Sequence, residues 1–131
     1  MNPKMIWSNL AVNDLDRTTK FYTELGFNSN GRSQELTSIV VGKNDFVIHF
    51  FLKNILQTSI KGEIADSQKV NEIIFTLSAE SKAQVDDWEK EVEKAGGKII
   101  SKPEEFGPGY YGFIFADPDG HRFNVFYMEG L

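Results

Sequence analysis

Four side chains in this sequence could support chemistry in a binding site or an active site: Trp7, His49, Glu72 and Asn124. A neutral imidazole can act as a general base or bind a divalent metal. A carboxylate in the middle of an apolar strand is costly to bury alone, so Glu72 is expected to reach His49, a ligand or water. Each residue also has a plain structural interpretation: His49 and Asn124 as hydrogen-bonded core groups, Trp7 as packing, and Glu72 as an exposed strand end.

The stretches around these four residues have the composition of β-strands. Alternating apolar and polar residues predict strands over 4–12 and 70–78, and β-branched and aromatic runs predict strands over 46–53 and 122–128. The last of these strands follows Asp117-Pro118-Asp119-Gly120, which is typical of a tight turn. Helices are predicted to begin at Asn13 or Asp14 and at Ser81, and to end at Gly26 and at Gly96-Gly97.

The order strand, helix, strand, strand, strand occurs twice. This repeat predicts one α+β domain made of two βαβββ modules, about 4–53 and 70–129, joined by a linker over 54–69. The closing strands align at an offset of 75 residues, which pairs His49 with Asn124, and the opening strands align at 65, which pairs Trp7 with Glu72. Apolar residues of the opening strands (Ile6, Leu10, Val12, Ile73, Phe75 and Leu77) should pack under the helices.

The opposite faces of these strands should then line a central cleft inside a curved mixed sheet. Trp7, His49, Glu72 and Asn124 are predicted to converge there, with His49 and Glu72 as candidate catalytic residues. The candidate ligand-binding residues are Trp7, Asn9, Phe51, Tyr110, Asn124 and Phe126. A cluster of Phe106, Tyr110, Tyr111 and Phe113 could form a loop over the cleft or ordinary strand packing.

The composition limits the classes of function. The chain has 131 residues, 40% hydrophobic and 25% charged, as expected of one globular domain. A net charge of −5 argues against nucleic-acid binding, and the absence of Cys excludes disulfides and thiolate metal sites. No apolar run approaches membrane length, so a cytoplasmic protein without membrane contact is expected. Eleven Phe indicate an aromatic core or an aromatic-lined pocket.

The chain resembles the vicinal oxygen chelate superfamily, which includes glyoxalase I, bleomycin- and fosfomycin-resistance proteins and extradiol dioxygenases. The resemblance runs along the whole chain and is carried by four motifs: Val12-Asn13-Asp14-Leu15-Asp16-Arg17, Phe21-Tyr22 with Leu25-Gly26-Phe27, Ala95-Gly96-Gly97, and Asp117-Pro118-Asp119-Gly120-His121. It implies the paired-module fold and a homodimer. It is less specific for activity, because the superfamily supports many functions on one scaffold.

The resemblance also implies where a divalent metal such as Zn, Ni, Mn or Fe would be held. The corresponding positions here are Trp7, His49, Glu72 and Asn124. His49 and Glu72 can ligate a metal, Trp7 cannot, and Asn124 is a neutral donor in a position where the family usually has Glu. This is an incomplete set for a catalytic site.

Three functional interpretations follow from the sequence. The first is a small-molecule binding protein of the drug-resistance type, which binds a small, partly aromatic or apolar molecule in the cleft without a metal. The second is a divalent-metal lyase or isomerase of the glyoxalase type, with Glu72 assisting proton transfer. The third is an interaction module that has lost the site.

Overall fold

The computed structural model describes residues 1–130 and divides them into two compact units, Met1–Ile64 and a second unit that starts at Ala65. Each unit contains one four-stranded sheet with both parallel and antiparallel pairs. The predicted α+β class and its two βαβββ modules are confirmed. None of the helices in the described part of the chain has the length and apolar character needed to cross a membrane.

The first unit has the order β1 (Trp7–Val12), α1 (Leu15–Glu24), β2 (Asn28–Arg32), β3 (Leu36–Val41), β4 (Phe46–Leu52) and α2 (Lys53–Ile60). The sheet order is β1-β4-β3-β2, with β1 parallel to β4. Asp14 caps α1 by accepting from the Arg17 amide at 3.0 Å. The Tyr22 ring of α1 stacks on Phe50 of β4 at 4.6 Å, and both side chains are fully buried.

The second unit has the order β5 (Ile74–Ser78), α3 (Lys82–Ala95), β6 (Lys98–Glu105), β7 (Tyr110–Ala116) and β8 (Arg122–Met128). Its sheet order, β5-β8-β7-β6, repeats that of the first unit, with β5 parallel to β8. Ser81 caps α3 through the Gln84 amide, and Gly96 ends it with φ +96°. Helix α3 packs on one face of the sheet, where Phe113, Phe115, Phe123 and Val125 are buried.

The turn between β7 and β8 is held from two directions. Asp117 is buried, and its Oδ1 accepts from the amides of Asp119 at 3.0 Å and His121 at 2.8 Å. From the segment before β5, Ser67 donates to the Asp119 carbonyl at 2.6 Å and Gln68 to the Pro118 carbonyl at 2.9 Å. Gly120 has φ +92°, and a Cβ there would lie 2.5 Å from the Ser67 carbonyl oxygen, so only glycine fits.

Several predicted boundaries were wrong. The opening strands begin later than expected, which leaves Ile6 (77% exposed) and Ile73 (60% exposed) outside them instead of under the helices. The first eight residues after β4 form α2, which takes up the first part of the expected linker, and β6 continues through Pro103 to Glu105. Proline is tolerated in β6 because this strand lies at the edge of its sheet.

Candidate functional site

The sheet face opposite the helix, here called the open face of each unit, carries most of the sequence-predicted site residues. In the first unit the strand register places Asn9 beside His49, and His49 beside Ser38. Asn30 of β2 then donates to the Ser38 hydroxyl at 3.2 Å. Register partners share a face of the sheet, so these four residues form one polar row across all four strands.

Aromatic rings flank this first polar row on both sides of His49. The Trp7 ring meets His49 edge-on at 6.3 Å, and the Phe51 ring does so at 6.0 Å. Trp7 is 51% exposed, so the row has an accessible aromatic border. The Nδ1 atom of His49 is buried and has no hydrogen-bond partner among the described residues. A buried nitrogen left without a partner costs about 1–3 kcal/mol, which a ligand could recover.

The strand residues on this open face are all uncharged. Besides the polar row and its aromatic border, the register places apolar or amide side chains there (Ala11, Asn28, Leu36, Val40 and Val47). No Lys, Arg, Asp or Glu occurs among these registered positions. The face therefore offers hydrogen bonds and aromatic contacts, without a fixed charge.

The second unit has a row at the same register positions, with different chemistry. Asn124 lies between Thr76 of β5 and Ile114 of β7, and Ile114 lies beside Ser101 of β6. The Ser101 hydroxyl accepts from the Ile114 amide at 3.2 Å, at an irregularity in the strand pairing. The Oδ1 atom of Asn124 is buried and, within residues 1–130, unpartnered, like Nδ1 of His49.

The aromatic cluster after β6 divides between the two faces of the sheet. Tyr110 stacks on Phe126 at 5.4 Å on the open face. Phe113 is fully buried on the helix side. Tyr111 donates to Asp86 of α3 at 2.6 Å, and this hydrogen bond, together with burial, raises the pKa of Tyr111 to about 12. The same ring lies under Lys82, 5.6 Å from its Nζ, so Tyr111 anchors α3.

Phe106 lies near the open face of the second unit. Its amide donates to the Tyr110 carbonyl at 3.0 Å, and its ring approaches Gly112, where a Cβ would lie 3.2 Å from it.

Glu72 does not lie in a strand. It is exposed, in a bend two residues before β5 begins at Ile74. The offset of 65 that paired it with Trp7 was wrong, because the register aligns the Asn9–His49 pair with the Thr76–Asn124 pair, an offset of 67 for the opening strands. The counterpart of Trp7 is therefore Ile74. A catalytic role for Glu72 stays a prediction.

The structure thus brings the predicted residues together in two groups. Trp7, Asn9, His49 and Phe51 meet on the open face of the first unit, and Tyr110, Asn124 and Phe126 on that of the second. Sequence reasoning missed Ser38 and Asn30, whose signal would have been the pairing register of β3 with β4. The convergence of both groups in one cleft stays a prediction.

The available side chains do not fit a resident divalent metal. The residues that the structure describes contain no group of three His, Cys, Asp or Glu side chains placed to hold an ion. The neighbours of His49 in its row are an amide and a hydroxyl. These are weak neutral donors, whereas catalytic zinc-type sites use three His, carboxylate or Cys ligands.

Comparison with known proteins identifies a family model that matches this chain and solved structures that are similar to it. The model of the Glyoxalase/Bleomycin resistance protein/Dioxygenase superfamily matches residues 4–125. A hypothetical protein from S. aureus is similar in structure, with a TM-score of 0.85, 28% identity, and coverage of 97% of this chain and 95% of that one. No significant match was found among curated proteins.

Two further solved structures share the fold at lower identity. A glyoxalase-related enzyme from Fulvimarina pelagi has a TM-score of 0.84 and 20% identity, covering 95% of this chain and 88% of that one. A lactoylglutathione lyase from Agrobacterium tumefaciens has a TM-score of 0.69 and 22% identity, covering 97% and 96%. At these identities the likeness concerns the fold alone.

Proposed function

This chain belongs to the glyoxalase/bleomycin resistance protein/dioxygenase superfamily, and we propose that it binds a small, partly aromatic molecule without a resident metal. The ligand would contact Trp7, Asn9, His49 and Phe51 on the first open face, while Tyr110, Asn124 and Phe126 on the second open face stay candidate ligand-binding residues. The observation that carries this proposal is the buried, unpartnered Nδ1 of His49 between two aromatic rings.

Physical chemistry favours a ligand at this position. Buried polar atoms in folded proteins are nearly always hydrogen-bonded, so each exception calls for an explanation. A ligand hydroxyl or amide could pair with His49 and with Asn9 or Ser38 beside it, while its ring rests against Trp7. Small-molecule sites commonly combine aromatic walls with a few convergent polar groups of this kind.

The glyoxalase-type lyase remains the alternative from sequence, and no specific observation favours it. It would need Glu72 and His49 around one ion, whereas Glu72 is exposed and lies outside β5. A homodimer, which the family resemblance implies, and a cytoplasmic location remain part of the proposal.

The test uses 4-hydroxybenzamide, a neutral aromatic probe with both donors and acceptors, titrated into the ¹⁵N-labelled chain. We expect shifts in the His49 ring and Asn9 side-chain resonances. His49→Phe, which keeps an aromatic ring, should weaken binding about tenfold because a buried hydrogen bond is lost. The matched control is His121→Phe, at the other histidine of the chain, which should bind like the parent. Equal binding by the parent and His49→Phe would contradict the proposal.

A further inference from the structure

Besides Asn124, the open face of the second unit carries Arg122. It is the first residue of β8 and lies two residues before Asn124, so both side chains share this face. Arg122 is partly buried, and its register partners are Ile74 and Ala116, which offer no charge. No carboxylate within residues 1–130 forms an ion pair with it.

The acidic residues before β5 and on β6 form no ion pair with this cation. Glu72 lies before β5, exposed, and makes no ion pair with Arg122. Glu104 lies on β6, two strands away from β8 in the sheet order. By contrast, the other strand arginine, Arg32, is paired with Asp16 at 2.6 Å. A partly desolvated guanidinium without a partner is unfavourable, and its planar fork is suited to a carboxylate.

The groups beside Arg122 define what else the ligand must carry. The Asn124 Oδ1 is a buried acceptor without a donor, about 7 Å along the strand from Arg122. The stacked Tyr110 and Phe126 rings lie one step further along the same face. A carboxylate at one end, an aromatic body and a hydroxyl or amine donor would satisfy all three features.

We infer that the open face of the second unit binds a small aromatic acid bearing a hydroxyl or amine group, with Arg122 binding its carboxylate and Asn124 accepting from its donor. This inference rests on the proposed binding function, extends it to the second open face and adds the charge of the molecule bound there. It also assigns the two units different tasks, since the first open face is uncharged and only the second supplies a cation.

The experiment compares 4-hydroxybenzoate with 4-hydroxybenzamide, which has the same ring and hydroxyl without the charge. Binding is followed through the Arg122 Nε–Hε and Asn124 side-chain amide resonances of the full chain. We expect the acid to bind about tenfold more tightly than the amide, since hydrogen bonds to charged groups are the stronger ones. Arg122→Gln should reduce the acid to the affinity of the amide, and Arg122→Lys should retain part of the difference.

The matched control is Lys90→Gln, which removes the same charge from an exposed position on α3. It should keep the preference for the acid. Equal affinity for acid and amide in the parent, or a preference unaffected by Arg122→Gln, would overturn this inference and leave the proposed function standing. Binding of neither probe would overturn both. Melting curves of each variant identify any loss of fold.

Discussion

The open faces of the two units share one strand register but differ in chemistry along their central rows. In the first unit the row reads Asn30, Ser38, His49, Asn9 and is polar throughout. In the second it reads Ser101, Ile114, Asn124, Thr76, with Ser101 engaged by a backbone amide. The two units therefore place residues at equivalent register positions, but the side chains at those positions differ in the chemistry they can support.

The same comparison extends to positions next to the rows. Gly112 of β7 lies beside Phe126, and its register counterpart in the first unit is Leu36 beside Phe51. A Cβ at Gly112 would overlap the carbonyl oxygen of Val125. The first unit accommodates the Leu36 side chain at this position, whereas the second unit has no room for a side chain at Gly112.

Gly112→Ala is expected to have the largest effect on stability. The added methyl group must displace the backbone of β8, so the free energy of unfolding should fall by about 3 kcal/mol. Leu36→Ala, at the equivalent position, should cost about 1 kcal/mol because Leu36 is only partly buried. Urea unfolding measures both. Similar losses for the two variants would show that the packing around Gly112 can relax.

Substitutions in the turns that lead into β4 and β8 should also lower the free energy of unfolding by different amounts, with the larger loss in the second unit. Asp117→Ala removes two charge-assisted hydrogen bonds from a buried turn, and we expect a loss of about 2 kcal/mol. The turn over residues 42–45 is exposed, so Asn44→Ala should change the free energy of unfolding by less than about 0.5 kcal/mol. Thermal and urea unfolding report both values. Comparable losses would mean that the two turns are equally supported.

The third comparison concerns the row centres, where each single effect is smaller than that of Gly112→Ala or Asp117→Ala. Asn124→Val removes an unpartnered buried acceptor between Thr76 and Ile114 and should raise the free energy of unfolding by about 1 kcal/mol. His49→Val should lower it by a similar amount, because the imidazole packs between Trp7 and Phe51. Urea unfolding under identical conditions compares them. A loss in both variants would indicate that Asn124 is a stabilising core amide.

The fold class was predictable from sequence because its signals are local. Asp14 and Ser81 cap their helices, Gly26 and Gly96 end them, and Asp-Pro-Asp-Gly starts β8. The alternation of side chains along β1 also predicted that Leu10 and Val12 lie on one face of the strand and Trp7 and Asn9 on the other. These features depend on neighbours in the chain, so a single sequence contains them.

The partners within each row were not predictable, because they depend on register between strands far apart in sequence. Irregular pairing near Gly31 and Ser101 shifts the register of β2 and β6, and nothing local indicates by how much. The two-residue error in aligning the opening strands has the same origin. It moved Glu72 onto the position that Ile74 occupies.

The sheet order has a consequence for synthesis on the ribosome. β5 has one neighbour in its sheet, and that neighbour is β8, the final strand made in its unit. Ser67 and Gln68 are translated before β5, and their hydrogen bonds to the Asp119 and Pro118 carbonyls cannot form until those residues have been made. Until β8 has been made and has paired, β5 has no strand partner in its sheet, a condition that favours aggregation.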